Sequence, residues 1–182
     1  MGDPRKQKKK YEAPRFPWRL DTLEGELRLV GEYGLRSKKE LWRHRTMVSK
    51  FRSMARSTLG MSTSRGAELE AQILGRLKRL GILPEGAVLD NILDLAMEDI
   101  LERRLQTLVF RKGLARTIYQ ARQLISHRHI SIGGRRVFSP SYLVPKEEEG
   151  DIDYSSTSPL ANTEHPLRGT IEVEDTGVEA HE

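Results

Sequence analysis

Seven cations and one carboxylate share the window 101–134, LERRLQTLVFRKGLARTIYQARQLISHRHISIGG: Arg103, Arg104, Arg111, Lys112, Arg116, Arg122 and Arg128 against Glu102. Amide and imidazole groups at Gln120, Gln123, His127 and His129 are interleaved with them. These types donate hydrogen bonds and neutralise charge; they do not form a nucleophile with its base. The chemistry available is non-covalent recognition of a polyanion.

To act together these side chains must be placed by regular elements, and the spacing predicts two short helices, a tight turn and a strand. On the first helix Leu101, Leu105, Leu108 and Val109 follow a buried stripe, which puts Arg104, Thr107 and Arg111 on the opposite face. Gly113 suits the left-handed position that ends a helix, and Thr117 suits the cap of the next. On the second helix Ile118, Ala121, Leu124 and Ile125 share the inner side. Arg116, Gln120, Gln123 and His127 share the outer one, with Arg122 on the shoulder. Ile130–Ile132 alternates as a strand, Gly133-Gly134 turns, and residues 135–138 return. Residues 142–144 and 152–154 are expected to complete a small antiparallel sheet.

The net charge of +5 conceals its distribution. Residues 1–60 carry +9, 61–100 carry −3, 101–146 carry +9 and 147–182 carry −10. Two basic blocks are the electrostatic footprint of nucleic-acid contact. In the first, an arm over 1–19 holds Lys8, Lys9, Lys10, Arg15 and Arg19 with few apolar residues. Free in solution it is expected to be disordered and to order on RNA, with Trp18 available for stacking. Asp21 is expected to cap a helix to about Tyr33, stopped by Gly34. A longer helix follows over 38–59, with Leu41, Val48, Phe51, Ala55 and Leu59 inward. Arg45, Arg52 and Arg56 run beside that stripe, and Lys39, Arg43 and Lys50 lie further round. Charged stripes are usually solvated faces. Here Glu40 is the only acid between 33 and 59, so the ion pairs that quiet an ordinary surface helix are missing and phosphate contact is expected.

Residues 60–66 are expected as a loop, then a helix with Leu69, Ile73, Leu77 and Leu80 inward, ended by Gly81, and a short helix capped by Asp90 running to about Met97. Asp90, Asp94, Glu98 and Asp99 are expected as caps and solvated faces, not as an acid/base or metal cluster. His127 and His129 lack a third ligand at zinc spacing, so no metal is expected. One imidazole is expected to pack and the other to contact RNA; spacing does not decide which. From about Asn162 the chain is acidic and poor in aromatics, as a disordered tail would be. The organisation read here is α+β: arm 1–19, helical region 20–100, an α+β module 101–160 and acidic tail 161–182.

Several motifs carry a family resemblance. Gly113-Leu114-Ala115, Ala121-Arg122-Gln123-Leu124-Ile125 and His127-Arg128-His129-Ile130 resemble the S-four RNA-binding module. The likeness extends to Glu32-Tyr33-Gly34-Leu35, Lys38-Lys39-Glu40-Leu41-Trp42, Leu89-Asp90, Pro140-Ser141-Tyr142-Leu143-Val144, Ile152-Asp153-Tyr154 and Ser158-Pro159. Together, over roughly residues 1 to 160, these are similar to the archaeal and eukaryotic branch of the small-subunit ribosomal protein four family. The module alone also occurs in RNA-modifying enzymes and stress factors. Gly133-Gly134 stands where many members have Asn-Gly, and the zinc-ligand cysteines of many bacterial relatives are absent. The resemblance implies a cytoplasmic, ribosomal protein that binds small-subunit ribosomal RNA early, helps nucleate the body of the particle and influences decoding accuracy. It also implies neighbouring ribosomal proteins, protein five among them, and a position near the messenger entry path.

Other classes are disfavoured. There is no cysteine, hence no disulfide or thiolate metal site. No phosphate-binding glycine loop, serine elbow or dinucleotide fingerprint appears, so no enzyme and no cofactor is expected. The N-terminus lacks the apolar core of a secretory signal, and no apolar run approaches membrane length, so no membrane partner is expected.

Overall fold

The structure is a computed structural model and describes residues 9–61, 64–162, 165, 166 and 168. The expectations for Lys8 and for most of the acidic tail therefore lie outside the described residues. Seven α-helices, one three-stranded sheet and a short 3-10 helix, Pro159–Ala161, are present among the described residues: α1 Leu20–Glu32, α2 Lys38–Leu59, α3 Ser64–Arg79, α4 Leu89–Asp94, α5 Met97–Glu102, α6 Leu105–Arg111, α7 Ile118–Ser126, then β1 Ile130–Ile132, β2 Arg135–Arg136 and β3 Ile152–Tyr154. This is the α+β architecture expected. The strand order is β2-β1-β3 and both pairings are antiparallel, with Ile132 opposite Arg135 on one side and Ile152 on the other.

The helical part is organised by α2. Its Leu41, Val48, Phe51 and Ala55 are buried as the periodicity requires. Val48, Phe51 and Ala55 share a core with Leu77, Leu89, Ile92 and Ile100 from α3, α4 and α5. Leu59, in the last turn of α2, departs from expectation and stays 52% exposed. On α3 only Leu77 of the expected stripe is fully buried. Asp21 lies in the first turn of α1 and makes no side-chain cap; Arg19 occupies the cap position. Nor does Asp90 cap α4. The Val88 N–H donates to Asn91 Oδ1 at 2.8 Å, and the Ala96 N–H to Asp99 Oδ2 at 2.8 Å, so the expected helix through Met97 is two helices broken at Leu95.

A second core joins α6, α7 and the sheet through Leu105, Val109, Ala121, Ile125, Ile130, Val144 and Ile152. Gly113 has φ +70 and Thr117 Oγ1 accepts the Gln120 N–H at 3.1 Å, the helix stop and start expected. Gly133 and Gly134 both have positive φ, +53 and +77, the turn geometry that places β2 antiparallel to β1. Residues 142–144 do not join this sheet. They bridge to the segment before α6, with Leu105 N–H donating to Tyr142 O at 2.8 Å and Val144 N–H to Arg103 O at 2.9 Å. That pairing ends α5 at Glu102 and sets α6 as a separate helix.

Candidate nucleic-acid interface

Glycine at position 34 lets the loop after α1 approach α6 and the start of α7 closely. Its φ is +55, and a Cβ there would lie 2.7 Å from Gln106 Nε2 and 2.8 Å from Ile118 Cγ2. The Gln106 amide, fully buried, donates to both Gly34 O and Ile118 O at 3.0 Å. The loop Gly34–Arg36 is thereby fixed beside α7, and the two line an open groove of about 500 Å³ with Tyr119, Arg122, Gln123, Ser126 and His127. Ring, amide, hydroxyl, imidazole and two guanidinium groups face one concavity. Such a set hydrogen-bonds and neutralises a phosphate-bearing chain without any step of covalent chemistry.

Next to that groove lies a buried ionic staple. Glu40 on α2 accepts from Arg122 at 2.9 Å through one carboxylate oxygen and from Arg104 at 2.9 Å through the other. Arg104 also donates to His44 Nε2 at 2.6 Å, which requires that nitrogen to be unprotonated and puts the ring proton on Nδ1. Burial alone would raise the Glu40 carboxyl, but the hydrogen bonds and charges of Arg122 and Arg104 outweigh it and hold it below its usual value. For His44, burial and then the Arg104 charge push the imidazole down to about 4, so it is neutral. Burial also lowers Arg104, with Glu40 opposing.

This network corrects part of the sequence reading. Arg104, expected on an outward face, is 1% exposed; Thr107 is buried too, its hydroxyl donating to Leu101 O at 2.9 Å. The cause is that α6 packs on both sides, its apolar stripe into the module core and its opposite face against α5 and the Gly34 loop. Arg103, partly buried, is engaged by the protein itself, donating to Glu149 at 2.7 Å and Val144 O at 3.1 Å. Arg52 donates to Leu95 O at 2.6 Å, closing the break between α4 and α5. Arg122 lines the groove with a guanidinium already engaged by Glu40. These four bases are consumed wholly or partly by the protein's own oxygens.

Other expected bases do face outward. Lys39, Arg43, Arg45, Lys50 and Arg56 are exposed on α2, and Arg45, Arg52 and Arg56 line a second groove of about 530 Å³ with Trp42, Leu29 and Met97 between α1, α2 and α5. Arg111 is 59% exposed and ion-paired with Glu102, whose same carboxylate oxygen accepts from Tyr33 at 2.9 Å. Lys112 is exposed and donates to backbone oxygens of Glu149 and Gly150. Arg116, Gln123, His127 and Arg128 are exposed, Arg128 at φ +64 with its guanidinium 5.5 Å from the Phe138 ring centroid. Lys9 sits 4.7 Å over Tyr11, Arg15 5.5 Å over Phe16, and Lys10 and Arg19 are exposed. His129 packs, with Nδ1 2.9 Å from Ser158 Oγ, while His127 opens to the groove.

Sequence reasoning missed Arg36 and Tyr119. Arg36 is isolated in the sequence and reaches the site only through the Gly34 fold. Tyr119 did carry a signal, an aromatic four residues before Gln123 and eight before His127 on the polar side of α7. Arg135 and Arg136, exposed on the edge strand, add two cations that no helical period marks.

Comparison with known proteins gives a concordant picture. A family model described as S4 domain matches residues 103–149. The small ribosomal subunit protein uS4 of Metallosphaera sedula is 51% identical over 179 residues, covering 97% of this chain and 99% of that protein. Its counterpart in Hyperthermus butylicus is 54% identical, covering 88% of this chain and 92% of that protein. For Sulfurisphaera tokodaii the figures are 53%, 91% and 93%.

Proposed function

The chain belongs to the family of small ribosomal subunit protein uS4, and from that membership we propose that it is a structural, non-enzymatic component of the cytoplasmic small ribosomal subunit that binds small-subunit ribosomal RNA directly. The observation that carries the interface is the groove in which Arg36, Tyr119, Gln123 and His127 converge beside Arg122. Exposed cations displace counter-ions from phosphates, and the packed pair α6–α7 holds them at a defined spacing. The interface includes the exposed bases of α2, namely Lys39, Arg43, Arg45, Lys50 and Arg56, together with Arg111, Lys112, Arg116, Arg128 and the arm bases Lys9, Lys10, Arg15 and Arg19. Arg104 lies outside it because it is buried, Arg103 because its guanidinium is engaged by Glu149 and Val144 O, and Arg52 and Arg122 act chiefly in holding the surface together.

The finer reading follows the family resemblance. The protein binds early, joins helices of the ribosomal RNA to nucleate the body of the particle, lies beside protein five and near the messenger entry path, and thereby affects decoding accuracy. The functional units are the arm 1–19, the helical region 20–100, the module 101–160 and the acidic tail 161–182. Co-sedimentation tests the central reading. A structural component remains in salt-washed small subunits at one copy per particle; a modifying enzyme or stress factor is substoichiometric and is released by the wash.

A further inference from the structure

Phe16 and Trp18 stand 65% and 86% exposed, with Leu20 beside them also open to solvent. They are held in a defined geometry. The Arg19 N–H lies 3.5 Å from Phe16 O, closing a turn with Pro17 in its second position, where the fixed proline φ pre-sets the bend. Arg15 to Arg19 line a shallow concavity of about 580 Å³ by themselves. This part of the arm, whose composition predicts disorder in the absence of RNA, is instead anchored on both sides. Upstream, Tyr11 packs on Trp42 at 5.8 Å and the Glu12 N–H donates to Thr46 Oγ1 at 3.0 Å; downstream, α1 begins at Leu20. Both rings are flanked by cations. The Arg15 guanidinium lies 5.5 Å from the Phe16 centroid, and Arg19 pairs with the exposed Asp21 at 3.6 Å. A solvent-exposed pair of that kind is weak and exchanges readily for a phosphate.

We propose that the Phe16–Arg19 turn is a stacking platform for unpaired RNA bases, Phe16 and Trp18 offering ring faces while Arg15 and Arg19 neutralise the phosphates on either side. This deepens, and rests on, the RNA-binding reading. Bases inside an A-form duplex are covered by their neighbours; only splayed bases in loops, bulges and ends expose a face to an aromatic ring. An apolar pocket on a protein partner would also cover the rings, but it would bury two guanidinium groups against a surface with no reason to be anionic. RNA supplies face and charge together. The proline-set turn keeps the ordering cost of binding low, because the backbone of the platform is already fixed.

The test uses the full chain carrying Trp42→Phe, which leaves Trp18 as the sole tryptophan. It is titrated with a single-stranded RNA oligomer and with a duplex of equal nucleotide number, and emission is read. Quenching by the single strand and little change with the duplex is the expected result. In parallel, in the otherwise native chain, Trp18→Ala should weaken single-strand binding by roughly 5- to 150-fold, the range of one base–aromatic stack, with the salt slope unchanged because no charge is removed. Trp18→Phe should restore most of it. Circular dichroism should match the native chain in both variants. Equal quenching by duplex, or full affinity in Trp18→Ala while the chain still binds its ribosomal RNA fragment, overturns the platform and leaves the RNA reading standing. Failure of the native chain to bind any of these RNAs overturns both. A Trp18 response to anionic lipid vesicles but to neither RNA assigns the turn to a membrane surface and overturns the platform as well.

Discussion

The staple around Glu40 and the groove along α7 are made of the same residue type and lie side by side, yet they differ in what surrounds each guanidinium. Arg104 in the staple is enclosed by α2, α5 and α6, with Glu40 and His44 as its partners. Arg36 in the groove is open to solvent and lies next to Tyr119 and Gln123. A buried cation needs an internal anion, because an unpaired charge in the interior is strongly unfavourable. An exposed one keeps its hydration and its freedom to meet a phosphate. Arg122 stands between the two, lining the groove while donating to Glu40. The basic block at 101–146 is therefore two populations, and counting its charges overstates the surface available to RNA.

The sharpest way to separate the populations is to remove one member of each. Arg104→Ala leaves His44 without its donor and Glu40 with Arg122 alone in a largely buried site, so stability should fall by about 3–5 kcal/mol in denaturant titration. The salt dependence of RNA binding, measured where the variant is still folded, should not move. A large change in salt slope with little loss of stability would place Arg104 on the surface.

The staple should also be acid-sensitive. The folded protein holds the His44 imidazole near 4 against an ordinary 6.5, so on acidification the unfolded chain takes up a proton that the folded chain refuses. Stability is thus fully present above pH 6.5 and declines as the pH falls toward 4, by about 3 kcal/mol for a shift of this size. The lowered Glu40 carboxyl adds loss in the same direction at the acid end. Unfolding free energies across pH 4–7 should show the slope in the native chain and a flatter one in His44→Gln. Equal slopes would remove His44 from the staple.

A milder contrast lies within the module core. Leu105→Ala and Leu124→Ala should each cost about 2–5 kcal/mol, with Leu124 toward the lower end because it is slightly less enclosed. A loss below about 0.5 kcal/mol in either would contradict the packing of α6 on α7.

Which parts are legible in the sequence follows from how local their causes are. The limits of α2, the Gly113 stop, the Thr117 cap, the inner stripe of α7 and the Gly133-Gly134 turn all rest on residues a few positions apart, and all appear as expected. The face of α6 is misjudged from spacing because a helix wedged between two cores obeys no single stripe. Gln106 and Thr107 look like solvent residues and are instead buried donors to Gly34 O, Ile118 O and Leu101 O. The break before Leu105 is made by a distant partner, residues 142–144, and the break at Leu95 joins a local cap, Asp99 on the Ala96 N–H, to a distant donor, Arg52. In the site, Arg116, Gln123 and His127 are legible as an outer face. Arg36 is not, since only the close approach at Gly34 brings it there.

The measurement that bears most directly on the interface is the salt dependence of binding to a small-subunit ribosomal RNA fragment, compared between the native chain and a variant with Arg36→Ala, Lys39→Ala and Arg128→Ala. All three side chains are exposed, so helical content should be unchanged. The slope of log affinity against log salt should become shallower by roughly 2 to 3, about 0.7 to 0.9 for each phosphate no longer neutralised. An unchanged slope with undiminished affinity would show that RNA is held elsewhere on the molecule and would contradict the proposed interface.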